Sequence, residues 1–522
     1  MKKCFSYFSF SIILSLLFVS NLSGQEQTPR CGTTIEDQAI LGERLRYNRA
    51  HPSPELRTGG AIYIPMIFHL VGKKDGSGRF DRLDKVLDAI CKLNHDYGPQ
   101  GMVFYLEGVT ESIKELNHTA SWDNPKGQFS GIKLTNTAHN SSNGYAVNIF
   151  VVNDIKDGNN PGEILGFYSP QGDYVVMKSK EIKSPSSTFA HELGHFFSLM
   201  HPFYGWEGRS YNYNSPTPTS IFYAGRQILV EYVSRTKKQG NNKLCEVAAD
   251  QLCDTEANYK LGFGYSGCDW TGKAKDPDNE MLHPQERNFM AYFLNCNNYS
   301  FTDEQGAAMQ RDYNSNQRAF LRQHTVPNLG EPGETTPTFP ENNQTLDYYD
   351  VVTLDWTDAP EATHYLVERA TRSAFSTGYT SFIVDKSEIT MTDLAKRKTY
   401  YWKVTPLNDT HLCGSATKTQ KFKTGSKMYT ATKDLNGVQD WYIVQGNDSD
   451  HPTHIILNTT QSWKGQVKLL SPAGIVLSTQ NVEIAQGRHI LPIKTNLAQG
   501  LYLVSLKGEN GGIDTKKLLI SN

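Results

Sequence analysis

Residues 188–201 of the chain read TFAHELGHFFSLMH, and the rest of the sequence is interpreted from this stretch. In a helix, His191 and His195 lie one turn apart on the same face, so both imidazoles can reach a single cation. His201 follows six residues after His195, and a straight helix would place it on another face. The pattern therefore predicts a helix that ends near Ser198, after which the chain turns back to bring the third histidine to the same cation.

Glu192 stands next to the first of these histidines. Three neutral imidazoles leave the fourth position of a tetrahedral zinc ion open to water, which is typical of catalytic rather than structural zinc. A neighbouring carboxylate can take a proton from that water as it attacks a polarised carbonyl, and can later pass the proton to the leaving group. The competing interpretation is a chance pair of histidines on a solvated helix face, and the third histidine at this spacing argues against it.

A second motif follows the histidines. Residues 288–292 read NFMAY, and they precede Cys296 and the sequence FTDEQGAAM at residues 301–309. Together with the histidine motif, these stretches resemble the pappalysin family of metzincins. The resemblance implies that Met290 lies beneath the metal and that Tyr292 approaches it, where the hydroxyl would ligate the metal or hydrogen-bond the oxyanion of the transition state. Taken alone, both residues would be interpreted as part of an apolar core.

Four cysteines resemble the disulfide-bearing loops of bacterial pappalysins, namely Cys245, Cys253, Cys268 and Cys296. Two bridges are expected, and the spacing leaves all three pairings open. Asp254 and Thr255 occupy the part of the loop where some relatives bind calcium, so the resemblance makes calcium a candidate second metal. An aspartate that only forms a turn is the alternative interpretation.

The first residues predict export. A basic start is followed by an apolar run over residues 5–19, and residues 1–24 are interpreted as a signal peptide with cleavage near Gln25. A transmembrane anchor is the alternative, but the run contains four serines and falls short of roughly 20 apolar residues. The mature chain is therefore expected to have no transmembrane anchor. It would keep seven cysteines, so at least one thiol stays free, pairs between molecules or binds a metal.

Cys31 stands in the sequence RCGT, which resembles the pro-segment motif of pappalysin zymogens. The resemblance implies that residues 25–57 form a pro-segment and that the thiolate takes the open zinc position until this segment is removed. Removal would follow Arg49 or Arg57, both in a polar stretch interpreted as exposed. The alternative is that Cys31 pairs with Cys91 or stays unpaired without a role.

Residues 58–325 alternate between apolar runs and one amphipathic helix, which indicates an α/β layer. A helix is predicted over residues 83–97, because its apolar residues recur at helical spacing and Gly98-Pro99 follows. The metzincin resemblance implies a twisted mixed sheet with this backing helix and the active-site helix. The predicted strands of the sheet are residues 61–71, 102–106, 145–152, 164–168 and 174–177.

The sequence ILGFYS at residues 164–169 resembles the exposed edge strand on which metzincins lay their substrate. An unpaired strand edge hydrogen-bonds an extended peptide backbone without reading its side chains. The expected partners are therefore protein or peptide substrates. Nucleic acid is an unexpected partner, because a formal net charge of -2 gives no basic field to attract phosphates.

The C-terminal third of the chain predicts all-β sandwich modules, because short alternating strands are separated by turn residues. Residues 326–345 are rich in proline and are interpreted as a linker. Residues 346–424 resemble a fibronectin type III-like domain, interpreted as a spacer. Residues 425–522 resemble the sorting domain of the type IX secretion system, which implies the outer-membrane secretion machinery as a partner, followed by release or surface attachment. Another adhesive sandwich is the alternative for this last module.

Together these features predict a secreted zinc endopeptidase made as a latent zymogen, with a multidomain architecture of an α/β catalytic domain and β modules. An adhesin that keeps the fold but has lost hydrolysis is the main alternative, and a metal-dependent esterase or deacetylase is a third. One departure bears on activity, because the family usually has glycine where this chain has Ser198. A serine with positive φ costs on the order of 1 kcal/mol, so the sequence predicts a strained turn or a displaced His201.

Overall fold

The chain is multidomain and mostly β-sheet, with few helices. Its computed structural model describes residues 30–52, 60–73, 75–118, 134–140, 144–155, 163–183, 186–223, 225–265, 267–294, 296–427, 435–444, 453–471, 474–493, 497, 500–509 and 511–520. The predicted signal peptide and Arg57 lie outside these residues. Among the described residues, none of the helices combines the length and the apolar character needed to cross a bilayer.

The first module is built on a mixed sheet in which the strands lie in the order β1, β6, β7, β5, β2, β3, with β4 also paired to β2. Only β6 and β7 are antiparallel to each other, and the other pairs are parallel. The five predicted strands are confirmed, whereas β1 and β4 are additional. The strands are β1 (Arg30–Cys31), β2 (Ile62–Lys73), β3 (Met102–Tyr105), β4 (Ile113–His118), β5 (Val147–Val152), β6 (Ile164–Ser169) and β7 (Tyr174–Lys178).

Four helices concern the site, namely α1 (Ile35–Ala50), α2 (Leu83–Tyr97), α3 (Thr188–Phe196) and α4 (Asp303–Asn314). The backing helix α2 is confirmed with its predicted bounds, and it buries Val86 and Ile90 in the largest apolar cluster. At its end the Tyr97 hydroxyl donates a hydrogen bond to the carbonyl oxygen of Ala190 at 2.8 Å. The backing helix therefore contacts the backbone of the histidine-bearing helix α3 directly.

The prediction of an exposed polar stretch before residue 50 is wrong, because this stretch forms α1. The helix begins with a capping box, in which the Thr34 hydroxyl accepts from the backbone of Asp37 and the Asp37 carboxylate accepts from the backbone of Thr34. Its inner face is buried in the main core through Leu41 and Leu45. Arg49 lies in the last turn and donates to the carbonyl oxygen of Gln251 at 2.6 Å, so it is held in place rather than free.

Two small hairpins follow helix α3, formed by β8 (Ser220–Tyr223) with β9 (Arg226–Leu229) and by β10 (Lys238–Gln239) with β11 (Asn242–Lys243). The next module is a sandwich with one sheet in the order β12, β14, β17 and another in the order β13, β19, β18, β15, β16. Its strands are β12 (Pro337–Phe339), β13 (Gln344–Thr345), β14 (Val352–Trp356), β15 (His364–Ala370), β16 (Thr380–Val384), β17 (Glu388–Met391), β18 (Thr399–Leu407) and β19 (Gln420–Lys423).

The sandwich corrects two predictions. The predicted linker, residues 326–345, contributes strands β12 and β13, because its backbone groups pair with β14 and β19. The predicted spacer is joined to the first module by a disulfide between Cys91 on α2 and Cys413. The suggested Cys31–Cys91 pairing is therefore wrong.

The last module has a three-stranded sheet, β20, β21, β24, and a four-stranded sheet, β23, β22, β25, β26. Apolar side chains such as Trp441 and Val467 fill the space between the sheets. Its strands are β20 (Val438–Val444), β21 (His454–Thr459), β22 (Trp463–Leu470), β23 (Val476–Ile484), β24 (Gly487–Pro492), β25 (Gly500–Gly508) and β26 (Ile513–Ile520). An all-β module is confirmed at this end of the chain.

Candidate metal centre

Four potential metal ligands converge at the meeting point of β1, α3 and the segment after α3. The sulfur of Cys31 and one ring nitrogen each of His191, His195 and His201 lie within 4.8 Å of one another, and all four residues are buried. Within the described part of the chain, no other group of histidine, cysteine and acidic side chains meets this criterion. The four residues could hold a metal ion.

The outer ring nitrogens fix the orientation of two imidazoles. His191 Nδ1 lies 2.7 Å from the carbonyl oxygen of Phe289, and His195 Nδ1 lies 2.8 Å from that of Leu199. A carbonyl oxygen only accepts, so both Nδ1 atoms carry the proton and both Nε2 atoms present a lone pair. His201 Nε2 lies 3.2 Å from each of these Nε2 atoms and has at most one proton to share between them. A cation in this position would take up the lone pairs of His191 and His195, and also that of His201 when the His201 ring proton is on Nδ1, 3.5 Å from Glu207 Oε1.

Burial keeps these imidazoles neutral. It lowers the pKa of His191 to about 4 and takes the pKa values of His195 and His201 well below their usual range. Neutral imidazole is the form that binds a metal. Burial also raises the pKa of the Cys31 thiol well above its usual value, so this sulfur keeps its proton unless a cation lies against it.

Glu192 faces the thiol, which donates a hydrogen bond to Glu192 Oε2 at 3.3 Å. The close approach depends on Gly166 of β6, because a Cβ there would lie 3.0 Å from Glu192 Cγ. Cys31 pairs with Gly166 in the parallel register of β1 and β6, and the amide of Gly32 donates to the Gly166 carbonyl at 2.8 Å. The strand edge predicted to bind substrate is therefore covered by the segment that carries Cys31.

The turn after α3 has the predicted left-handed conformation. Ser198 has φ = +68° and is buried, and its hydroxyl donates to Asp312 Oδ1 on α4 at 2.7 Å. The same carboxylate accepts from Arg318 Nε at 2.9 Å and from Asn48 Nδ2 on α1 at 3.0 Å. A glycine has no hydroxyl to bond Asp312, so the hydrogen bond of Ser198 offsets part of the strain of its left-handed backbone. The predicted displacement of His201 does not occur.

Met290 and Tyr292 lie beside the cluster. Met290 is buried against the middle of α3, where a Cβ on Gly194 would lie 2.5 Å from Met290 Sδ. The Tyr292 ring centroid is 4.9 Å from that of His201, and its hydroxyl donates to the Cys31 carbonyl oxygen at 3.4 Å. Their predicted catalytic and supporting roles stay predictions, although both are close enough to act.

The cysteine loops contain the two expected bridges, Cys245–Cys253 and Cys268–Cys296. Asp254, a candidate calcium ligand, instead accepts from the Thr302 hydroxyl and from the Glu304 amide at the start of α4, each at 2.7 Å. The other candidate, Thr255, donates its hydroxyl to Asp250 Oδ1 at 3.0 Å. Both side chains thus have structural roles here, and calcium stays a prediction.

Sequence reasoning missed two polar residues at the third histidine. Gln38 of α1 and Glu207 both contact His201. Nothing in the local pattern marks them, because a buried glutamine on an otherwise polar helix and a glutamate six residues after the histidine both resemble ordinary surface residues. The capping box at Thr34 and Asp37 was the one available signal, since it predicts the helix that presents Gln38.

A small pocket opens beside Glu192. Its cavity volume is about 30 Å³, and in addition to Glu192, His191 and Cys31 it is lined by Leu165, Ser187, Thr188, Phe289, Ala291, Tyr292 and Leu294. Glu192 is the only acidic group among these residues. The rest of the pocket lining is therefore free of acidic side chains and is largely apolar.

Comparison with known proteins assigns no family. No family model matches the chain, and no curated protein matches it. Solved structures similar to it include the FN1–FN3 domains of chicken CNTN1, at 13% identity and a TM-score of 0.16, covering 37% of this chain and 66% of that one. An α-L-rhamnosidase from Dictyoglumus thermophilum matches at 12% and 0.16, covering 37% and 29%. The fibronectin(III)-like modules of Clostridium thermocellum CbhA match at 12% and 0.15, covering 36% and 94%. The chain thus has fibronectin type III-like structural neighbours, and matches with TM-scores this low give no information about its activity.

The Ser198 hydroxyl should contribute measurably to stability. Ser198→Ala keeps the strained backbone and removes a bond to a buried carboxylate, so we expect a loss of about 2 kcal/mol in the free energy of unfolding. Ser198→Gly removes the same bond but relieves about 1 kcal/mol of strain, so its loss should be smaller. Urea denaturation of both variants measures the difference, and an alanine variant as stable as the original chain would contradict this account.

Proposed function

We propose that the chain is a secreted zinc endopeptidase of the pappalysin-like metzincin type, held latent by the segment that carries Cys31. One observation carries the proposal: three buried imidazoles turn their Nε2 atoms to a common point, with a carboxylate and a thiol beside it. Three disulfides among the described residues support an extracellular location. Export would use the C-terminal β module as its sorting signal.

The donor set favours zinc. Imidazole nitrogen and thiolate sulfur are its usual ligands, and four of them form its usual tetrahedral shell. Nitrogens bound to one tetrahedral zinc at 2.0–2.1 Å stand about 3.3 Å apart, and the Nε2 separations of 3.2 Å at His201 agree with that spacing. The carbonyl oxygens of Phe289 and Leu199 hold two of the rings in the ligating tautomer.

Zinc held by His191, His195 and His201 would polarise a peptide carbonyl and make a nearby water more acidic. Glu192 accepts the proton of that water and returns it to the leaving amine. Its carboxylate is placed for this role because it lies 3.3 Å from the sulfur of Cys31, one of the four potential ligands. The Tyr292 ring lies beside that of His201, and its hydroxyl donates to the Cys31 carbonyl oxygen. Once Cys31 has left, this hydroxyl would donate to the oxyanion that develops on the substrate carbonyl. Once β1 leaves, the edge of β6 binds the extended backbone of the substrate.

Glu192→Ala separates metal binding from hydrolysis. The variant should keep about one zinc ion per chain, because the three imidazoles are untouched, and should lose at least a hundredfold in the rate of peptide hydrolysis. Zinc content by atomic emission and cleavage of an unfolded protein are the measurements, with Glu280→Ala on the exposed surface as the matched control. Undiminished cleavage by Glu192→Ala would remove the mechanism. Full zinc loading with no cleavage by the mature form, from which the N-terminal segment has been removed, would favour an adhesin.

The pocket beside Glu192 predicts the preference next to the cleaved bond. In a peptide library, uncharged residues should be favoured at one position adjacent to the cut, because most of the residues that line the pocket are apolar. Leu294→Ala widens the pocket, so cleavage beside larger apolar residues should rise about tenfold. Sequencing of the products measures both preferences. Equal cleavage beside lysine or arginine would contradict the assignment of the pocket.

The Cys31 thiol is expected to maintain the latent state. Cys31→Ala removes a candidate fourth ligand, so activation of the full chain should be at least about tenfold faster. The measurement is the lag before peptide hydrolysis begins, together with the appearance of the shortened chain on a gel. Cys31→Ser offers a comparison of similar size with a poorer zinc ligand. An unchanged lag in both variants would show that the thiol does not maintain latency.

A further inference from the structure

Helix α1 contacts the metal centre at a place separate from Cys31. Gln38 is fully buried on this helix, and its amide oxygen accepts a hydrogen bond from the backbone N–H of His201 at 2.8 Å. The amide nitrogen lies 2.7 Å from His201 Nδ1 and donates to Glu207 Oε1 at 3.0 Å. One side chain of α1 therefore contacts both the backbone and the ring of the third candidate ligand.

Glu207 completes this arrangement from the other side. Its Oε1 atom lies 3.5 Å from His201 Nδ1, and its Oε2 atom accepts from the backbone N–H of Gly205 at 2.8 Å. The carboxylate is thus fixed by the turn that follows the third histidine and presents an oxygen to Gln38. The two residues form a polar contact across the interface between α1 and the His201 segment.

The neighbouring packing lets α1 approach this closely. A Cβ on Gly42, one turn after Gln38, would lie 2.8 Å from Met200 Sδ, and Met200 directly precedes His201. One and a half turns further on, Asn48 bonds the same carboxylate of Asp312 that holds the Ser198 turn. The inner face of the helix therefore follows the chain segment that positions the third histidine.

We propose that Gln38 is a second anchor of the N-terminal segment on the metal centre, acting at His201 and Glu207 independently of the Cys31 thiol. The inference rests on the latent state proposed above, and it adds that the segment is held from two sides. Cys31 contacts the centre from the edge of β6, and Gln38 attaches α1 to His201. Because both contacts hold the same segment, loss of either one makes the segment easier to release.

Access to the Cys31 thiol tests this anchor without substrate or metal. The full chain is treated with iodoacetamide in the presence of EDTA, and labelling of the Cys31 peptide is followed by mass spectrometry. Gln38→Asn keeps an amide but shortens its reach by one methylene, so it loses the contacts to His201. We expect labelling at least tenfold faster than in the original chain, because several hydrogen bonds that hold the closed state are absent.

Two further variants separate the anchor from general weakening of the helix. Glu207→Gln replaces the carboxyl group that accepts from the Gln38 amide with a second amide, which weakens the contact from the opposite side and should also speed labelling. Gln171→Asn is the matched control, because the exposed Gln171 donates to Asp37 of the same helix at 2.9 Å but lies away from the histidines, and its labelling should stay within twofold.

Labelling rates that match the original chain in both Gln38→Asn and Glu207→Gln would overturn the inference. An increase in Gln171→Asn as large as that in Gln38→Asn would also overturn it, because any contact of α1 would then suffice. Melting temperatures of the variants show that the labelled chains are folded. The result is independent of the Glu192→Ala experiment, so a chain without hydrolytic activity and a chain without this anchor give different outcomes.

Discussion

Three imidazole nitrogens that face one another in a buried site impose the strongest constraint on this molecule. The Nε2 atoms at His201 stand 3.2 Å apart, and two of the three rings already give their Nδ1 protons to carbonyl oxygens. Unsatisfied polar atoms cost free energy when they are buried, and the cost falls when a shared cation takes up their lone pairs. Burial of these three ring nitrogens therefore costs less free energy when they share a metal ion than when the site is empty.

Several separate stretches of the chain supply or position the three imidazole rings of this site. Helix α3 supplies two rings, the segment around Phe289 supplies the carbonyl that orients one of them, and the left-handed turn at Ser198 returns the chain to His201. The Asp312 carboxylate accepts a hydrogen bond from the Ser198 hydroxyl of that turn. It also accepts one from the fully buried Arg318. The charge of this arginine is balanced by two carboxylates, because it also pairs with Asp173. The position of the third ligand thus depends on a buried ionic network rather than on the helix alone.

The parts of the structure that follow from local pattern could be predicted from the sequence. Strands β2, β3, β5, β6 and β7, helix α2 and the convergence of the histidines all derive from apolar periodicity and the spacing of a few residues. Helix α1 was missed because its buried face includes Gln38 and Asn48, which weaken the amphipathic pattern. The Cys91–Cys413 bridge was missed for another reason, since it joins residues 322 positions apart and no local spacing encodes such a pair.

At the metal centre the contacts of α1 are polar, although the same helix packs Leu41 and Leu45 into the main apolar core. A helix that docked only through large apolar side chains would leave an exposed apolar patch on the protein when it departed, and such patches favour association. At the metal centre α1 instead contacts its neighbours through Gln38 and Asn48, and water can replace those hydrogen bonds once the helix has gone. In the proposed active form, from which β1 has left, the backbone groups of β6 that pair with β1 would be available to an extended peptide. The contacts that close the site are therefore of the kind that a substrate or solvent can take over.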